Sequence, residues 1–491
     1  MNIIQINPMG QALQKLEKMP LGINLNFLMD GQYYENPKRP LSEALKEMGV
    51  GYLRYPGGEK SDNMLWSLPP FEKPEPTLAR YGEFEMRECF AEFIDKDYRH
   101  FKPFILGFDE FIELCREINA EPVVVVPYDT MFIPPMPGCT IPTKEQLLQN
   151  AVEWVRYANI RMGYGVKYWE IGNESYIIAH RSGASARDYA RDLIEFSNAM
   201  KAIDPSIIIA ANGPNCVHDN EKAVSVMDCG EGLDWWSEVL RYGSQHIDRI
   251  AFHNYPCLGW GGYEYYATKD TNLIEAPHKV KEILEHHVGS AEAKRIKLML
   301  TETNSADWSA WIPGGDKSVW SYSANLGHAL VLADIIGSHL MLDYVENILV
   351  WNTRWVLNNK KPIYEFWDSL DENNDLLPAG VVISMWGQNL LDEMLPIEAP
   401  KGFSVYLCAT SNREHINLFL INKTEKLQNI SINMSGDGEK YNIQSAKIFT
   451  GNDSNDTSPH CTDMILADYV PGNTVVVPAV SFSVISFVKN N

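Results

Sequence analysis

A chain of 491 residues, 45% hydrophobic and 22% charged, has the make-up of a globular protein of two or more domains, or of one large α/β barrel with an attachment. Its 64 acidic and 42 basic residues leave a formal net charge of −22, which repels nucleic acid and anionic membrane surfaces and makes a neutral or cationic small molecule the easier partner. The eight cysteines form no Cys-x-x-Cys pair, the N-terminus lacks a basic start before an apolar core, and no run reaches the ~20 apolar residues of a spanning helix. Free thiols, no membrane segment and a cytoplasmic location are therefore expected.

From about residue 20 to 395, short apolar runs alternate with amphipathic stretches. Strands are predicted at 21–27, 51–55, 122–127, 166–171, 207–211, 250–253, 297–301 and 348–351. Helices are predicted at 108–119, 144–162, 186–203, 233–246, 276–287 and 322–342. In the first of them Phe111, Leu114, Cys115 and Ile118 recur at the spacing of one buried face. Eight strands separated by helices count to an α/β fold of the (β/α)8 TIM barrel type over residues 15–395. A doubly wound open sheet alternates in the same way, but no Gly-x-Gly-x-x-Gly follows the first strand and a count of eight favours closure. The connections at 28–50 and 56–107 are long and rich in proline, aromatics and charge, and barrel enzymes keep their sites on such connections. Beyond residue 396 short alternating runs are punctuated by Gly, Asn and Asp. They predict a C-terminal all-β sandwich over 396–491, to which residues 2–6 of the 1–14 segment can add a strand.

Two of the apolar runs end in a glutamate. Tyr168-Trp169-Glu170-Ile171 stops abruptly at Gly172-Asn173-Glu174, and Lys297-Leu298-Met299-Leu300-Thr301 stops at Glu302. At the tips of the fourth and seventh strands these two carboxyls face each other across a barrel mouth. A retaining glycosidase needs two carboxyls about 5–5.5 Å apart, one ionised and one holding a proton. Most of the acids in such a chain are surface residues, and it is position at a strand tip that lifts Glu174 and Glu302 above them. Asn173 can donate to a sugar hydroxyl beside the reacting carbon, or simply shape the turn. Arg54, ending the second strand, can hold a carboxylate through a charge-assisted pair. His253 and Tyr255, ending the sixth strand, can orient or hydrogen-bond the two acids. Trp351, ending the eighth strand, and Trp308 or Trp311 offer flat faces to the C–H side of a sugar.

Together these residues resemble clan A of the glycoside hydrolases, the (β/α)8 retaining enzymes. Trp169-Glu170-Ile171-Gly172-Asn173-Glu174 is similar to the clan's acid/base signature, which implies Glu174 as acid/base and Glu302 as nucleophile. Leu53-Arg54-Tyr55-Pro56-Gly57-Gly58, Phe108–Cys115 with Glu121-Pro122, and Val477–Val484 look like family 51, the α-L-arabinofuranosidases. The chain departs from that family at two sugar-gripping positions, where Asn26 stands in place of Glu and Glu59 in place of Asn. Thr301-Glu302-Thr303-Asn304-Ser305 and Gly57–Asp62 look more like family 79, the β-glucuronidases and heparanase-type enzymes.

The resemblance implies double displacement on an oligosaccharide or other glycoside with no metal or organic cofactor. An arabinofuranoside or β-xyloside-like substrate is favoured over a uronide by the acidic charge. Two other classes compete. A non-catalytic carbohydrate-binding barrel would not need both carboxylates, and a metal-dependent barrel hydrolase would need ligand motifs such as His-x-His or His-Glu-x-x-His, which the chain lacks. A homo-oligomer is compatible with all three.

Overall fold

The barrel strands draw on β-branched, aromatic and other apolar residues that pack well on a pleated surface, and they are buried on both faces as parallel strands usually are. In the computed structural model, which describes residues 2–82, 88–97, 99–135, 137–177, 185–215, 232–256, 262–268, 272–305, 323–355, 364–435, 441–463 and 474–490, they close into one barrel. Its strands are β1 (Leu21–Asn24), β2 (Tyr52–Tyr55), β3 (Glu121–Val126), β4 (Tyr168–Ile171), β5 (Ile208–Gly213), β6 (Arg249–Asn254), β7 (Lys297–Thr303) and β8 (Val345–Val350). Each is parallel to its neighbours in sequence, and β8 closes on β1 with Leu349 opposite Gly22. A closed barrel has no sheet edge to protect, which the open-sheet alternative would have had.

Helices return the chain between strands, and all six predicted ones are present. The helix Phe108–Ile118 buries Phe108, Phe111, Ile112 and Cys115 and ends at Asn119, whose φ of 58° is the left-handed cap a helix C-terminus favours. Three further α-helices among the described residues were not predicted, one of them the short Gly262–Thr268 after β6. Leu41–Met48 lies in the connection after β1 and is barely two turns long. Pro378–Gly387, after β8, is buried almost all round and so carries no polar face to reveal it.

Inside the barrel, Tyr52, Val123, Tyr168, Ala210, Ala251, Met299 and Leu349 form one apolar layer, one residue from each of β2 to β8. Gly22 of β1 completes the ring, and an added Cβ there would run into Leu349 and Tyr52.

The second body is a pair of facing sheets. Seven antiparallel strands run in the order 460–463, 441–450, 481–489, 415–422, 403–409, 393–395 and 14–15. Opposite them Asn2–Ile6 pairs in parallel with Gln428–Met434, which pairs with Thr474–Val477. The sheet thus takes in residues 14–15 and 393–395 as well as the run beyond 396. It is bolted to the barrel by the helices Leu326–Leu340 and Pro378–Gly387. Asp334 pairs with Lys423 at 2.6 Å and accepts from Ser404 Oγ at 2.8 Å, and Trp386 stacks on Phe419 with ring centroids 3.9 Å apart. Cys115, Cys139, Cys408 and Cys461 are free thiols, and Cys89, Cys216, Cys229 and Cys257 fall outside the described side chains. Among the described residues no helix is long and apolar enough to cross a membrane.

Candidate active site

Side chains alternate faces along a strand, so the residue two beyond each member of the apolar layer also points to the barrel axis, nearer the C-terminal mouth. Asn24, Arg54, Glu170, Asn212 and His253 occupy these places, and all are buried. The strand β7 breaks the rule. Phe252 lies opposite Leu300 but His253 lies opposite Glu302, so Thr301 is an extra residue in β7. Strict alternation from Met299 would send Glu302 outward, and the bulge turns it to the axis.

Arg54 is the hub of this layer. Its Nε and Nη2 donate to the two oxygens of Glu170 at 2.9 and 3.1 Å, a bidentate pair with both side chains fully buried. Its Nη1 donates to Asn24 Oδ1 at 2.9 Å and to Glu302 Oε1 at 2.7 Å. Its Nη2 also reaches Asn173 Oδ1 at 2.7 Å. Because a guanidinium can only donate, that bond fixes the Asn173 amide with its oxygen toward Arg54 and its NH2 left as a donor. Burial works against the Arg54 charge, but Glu170 and Glu302 outweigh it and raise the guanidinium above its ordinary value.

The two strand-tip glutamates meet across the mouth. His253 Nδ1 lies 2.8 Å from Glu174 Oε1 and 3.5 Å from Glu302 Oε2. One donor atom from each of the three lies within 4.8 Å of the other two. Tyr255 OH donates to Glu302 Oε2 at 2.8 Å, so both Glu302 oxygens accept hydrogen bonds, one of them from a cation. Burial pushes the Glu174 carboxyl up and the Glu302 and Glu59 charges add to it, against the His253 contact. Burial disfavours a His253 cation, but the Glu302 and Glu174 charges prevail and raise it above its ordinary value. Glu174 stands at φ 53°, a left-handed conformation that costs a residue with a side chain roughly 1–2 kcal/mol. Two carboxylates and an imidazole would suit a transition metal such as zinc by type, but Arg54 already supplies a positive charge to the Glu302 carboxylate.

Trp351 is buried beside this group. At Gly58, with φ 51°, an added Cβ would run into the Trp351 ring and come 2.8 Å from Glu302 Oε1, so only glycine lets the backbone pass there. Lys60, in the same turn, is buried with its Nζ 4.7 Å from the Trp351 centroid and 4.4 Å from that of Trp355. Glu59 is exposed at the rim.

Asn26 is not aimed at the carboxylates. Its side-chain amide donates to the Arg354 carbonyl at 3.1 Å and its oxygen accepts from Leu28 N at 3.3 Å, so it braces the loop after β1. Trp308 and Trp311 lie outside the described residues. Sequence reading did not assign Asn24, Glu170, Asn212 or Asp129 to the site. Glu170 was inside the strand motif, two residues past Tyr168, and the period-2 rule applied to a charged residue in a buried run was the signal that could have found it.

Known proteins bear on this geometry. The α-L-arabinofuranosidase 1 domain family matches residues 44–230. An intracellular exo-α-(1→5)-L-arabinofuranosidase of Acetivibrio thermocellus is 28% identical over 229 residues, 44% of this chain and 39% of that protein. One of Bacillus subtilis is 22% identical over 479 residues, 86% of this chain and 82% of the relative. The crystal structure of the Thermotoga maritima α-L-arabinofuranosidase covers 99% of both chains with a TM-score of 0.69 at 18% identity, which is a likeness of fold. The barrel with its sandwich, the carboxyl pair at the ends of β4 and β7 and these matches support a glycoside hydrolase similar to the family 51 enzymes of clan A.

Proposed function

We propose that this protein is a retaining α-L-arabinofuranosidase that removes arabinofuranosyl groups from oligosaccharides. The observation that carries the reaction type is the facing pair Glu174 and Glu302, with donor atoms within 4.8 Å. That spacing is on the side of the ~5–5.5 Å of retaining enzymes and short of the ~6.5–9.5 Å that an inverting enzyme leaves for water. The sugar is supported by the matched domain and by the relatives, and the intracellular relatives support a cytoplasmic location. The barrel with its helices acts as the catalytic unit, and the sandwich, which takes in residues 14–15 and 393–395 with the run beyond 396, as the accessory one.

Glu302 attacks the anomeric carbon while Glu174 gives its proton to the departing oxygen, leaving a glycosyl ester on Glu302. Glu174 then takes a proton from water, whose oxygen bonds to the anomeric carbon and frees the Glu302 carboxylate. Arg54 and Tyr255 hold Glu302 in line, and His253 steadies Glu174 between its two proton states. The Asn173 NH2 is placed to donate to the neighbouring sugar hydroxyl, and Trp351 offers a face to the ring. Every step is carried by side chains, and a net charge of −22 disfavours polyanionic partners.

A hexuronide is the second reading. It is favoured by the Lys60 ammonium beside Trp351 and by Asn26 being committed to loop backbone. A panel of 4-nitrophenyl glycosides of α-L-arabinofuranose, β-xylose, β-glucuronate, β-galactose and β-glucose decides between them. Highest kcat/KM on the arabinofuranoside is expected; highest on the glucuronide would replace the first reading by the second.

A further inference from the structure

Behind Glu174 lies a carboxyl pair that the proposed reaction does not use. Asp129, in the turn after β3, and Asp62, in the turn after β2, are both buried. Asp129 Oδ2 accepts from the Asn173 backbone N–H at 3.1 Å and from Ser175 Oγ at 2.9 Å, the residues on either side of Glu174. The Ser175 N–H is taken by Asn212 Oδ1 at 2.9 Å, and Asn212 Nδ2 donates to the Ile171 carbonyl at 2.7 Å. The chain is therefore tied at 171, 173 and 175, while residue 174 between them stands in the left-handed region. The fit is close. At Gly172, with φ 73°, an added Cβ would lie 2.8 Å from Asp129 Oδ2 and 2.5 Å from Ser175 Oγ.

Asp62 backs this arrangement, its Oδ1 accepting from the Asp129 N–H at 3.4 Å. Burial pushes Asp129 up to about 7, with the Ser175 and Asn173 bonds holding it back. Burial and the Asp129 charge raise Asp62 well above its ordinary range. The other Asp129 oxygen, Oδ1, is buried with no hydrogen-bond partner among the described residues, so the grip on the turn is made by Oδ2.

We propose that Asp129 is a positioning residue for the proton donor: through the Asn173 N–H and the Ser175 hydroxyl it holds residue 174 in the left-handed conformation that aims the Glu174 carboxyl at His253 and across from Glu302. This rests on the reading of Glu174 as the acid/base. It separates two functions of the turn, because the grip on Glu174 comes from below through backbone and hydroxyl, not through the atoms that meet substrate.

The test uses two glycosides of the best glycone in the panel, one with 4-nitrophenol and one with a simple alcohol as leaving group. Only the second needs the proton. For Asp129→Ala, kcat on the alkyl glycoside is expected to fall roughly 10- to 100-fold, a part of the ~10²–10⁴ that a general acid contributes, with KM little changed. On the aryl glycoside the loss is smaller, and Asp129→Asn, which keeps an acceptor oxygen, recovers part of the alkyl rate. Equal losses on the two substrates, or none, overturn the proposal. Ser175→Ala removes one of the two bonds and stands in if Asp129→Ala does not fold. It must show the same split at smaller size, and a uniform loss or no loss there also overturns the proposal. Glu174→Ala in the same assay separates the two ideas. If it shows no leaving-group split, the acid/base reading fails and this inference with it; if it does and the Asp129 and Ser175 variants do not, this inference alone fails.

Discussion

Glu302 stands within β7, on a bulge in the strand ladder, whereas Glu174 stands three residues beyond the end of β4 in a turn with left-handed φ values at positions 172 and 174. Around Glu302 the neighbours are donors: Arg54 at one oxygen and Tyr255 at the other. Around Glu174 the neighbours are a histidine and other acids, and burial works against its charge. The same side chain thus has two different surroundings, and the proposed reading gives it two roles, nucleophile at Glu302 and proton donor at Glu174. It also follows that the two ends tolerate damage differently. The Glu302 end depends on charge–charge contacts inside the barrel, and the Glu174 end on backbone ties that hold one turn.

The largest expected contrast comes from removing each acid in turn. Glu302→Ala abolishes turnover of every glycoside, a loss on the order of 10⁴-fold or more, because nothing else can form the ester. Glu174→Ala costs about 10²–10⁴-fold on alkyl glycosides but far less on aryl glycosides. Steady-state rates on both substrate types check this, and equal behaviour of the two variants would break the division of roles.

Arg54→Met probes the Glu302 end through stability. It strands Glu170 and Glu302 as buried acids without their cation, and about 3–5 kcal/mol of unfolding free energy should be lost, read from the denaturant midpoint. A variant as stable as the parent would show that the hub is not what holds the mouth together.

The smallest effect is a pH dependence from the Glu174 end. Asp129 is raised in the fold to about 7, from about 3.9 in an unfolded chain, so between those values the folded protein binds more protons. Its contribution to stability is present below the unfolded value and is lost as pH rises through about 7; Glu174 and His253, both raised, act with the same sign. The melting temperature should fall across that window, and less steeply in Asp129→Asn.

Much of this site is written in the strands themselves. A buried run that stops at Gly-Asn-Glu, another that stops at Thr-Glu, and an arginine at the end of a third are legible because a barrel strand has a period of two and its C-terminal tip opens on the mouth. Local residue choice determined the eight strands, the amphipathic helices and the two acids, since each is a property of a few neighbouring residues. Other features are agreements between distant segments. The extra Thr301 that turns Glu302 inward exists only against the register of β6, and Glu170 and Asn24 become partners only when closure brings β1, β2 and β4 around Arg54. Asp129 reaches the turn at Glu174 from another loop, with Asp62 behind it from a third, and strands 14–15 and 393–395 join a sheet whose remaining members follow residue 402. Asn26 is tied instead to a carbonyl 328 residues further along the chain. Such pairings cost loop entropy that no local pattern records, and only the packed barrel decides which of them are made.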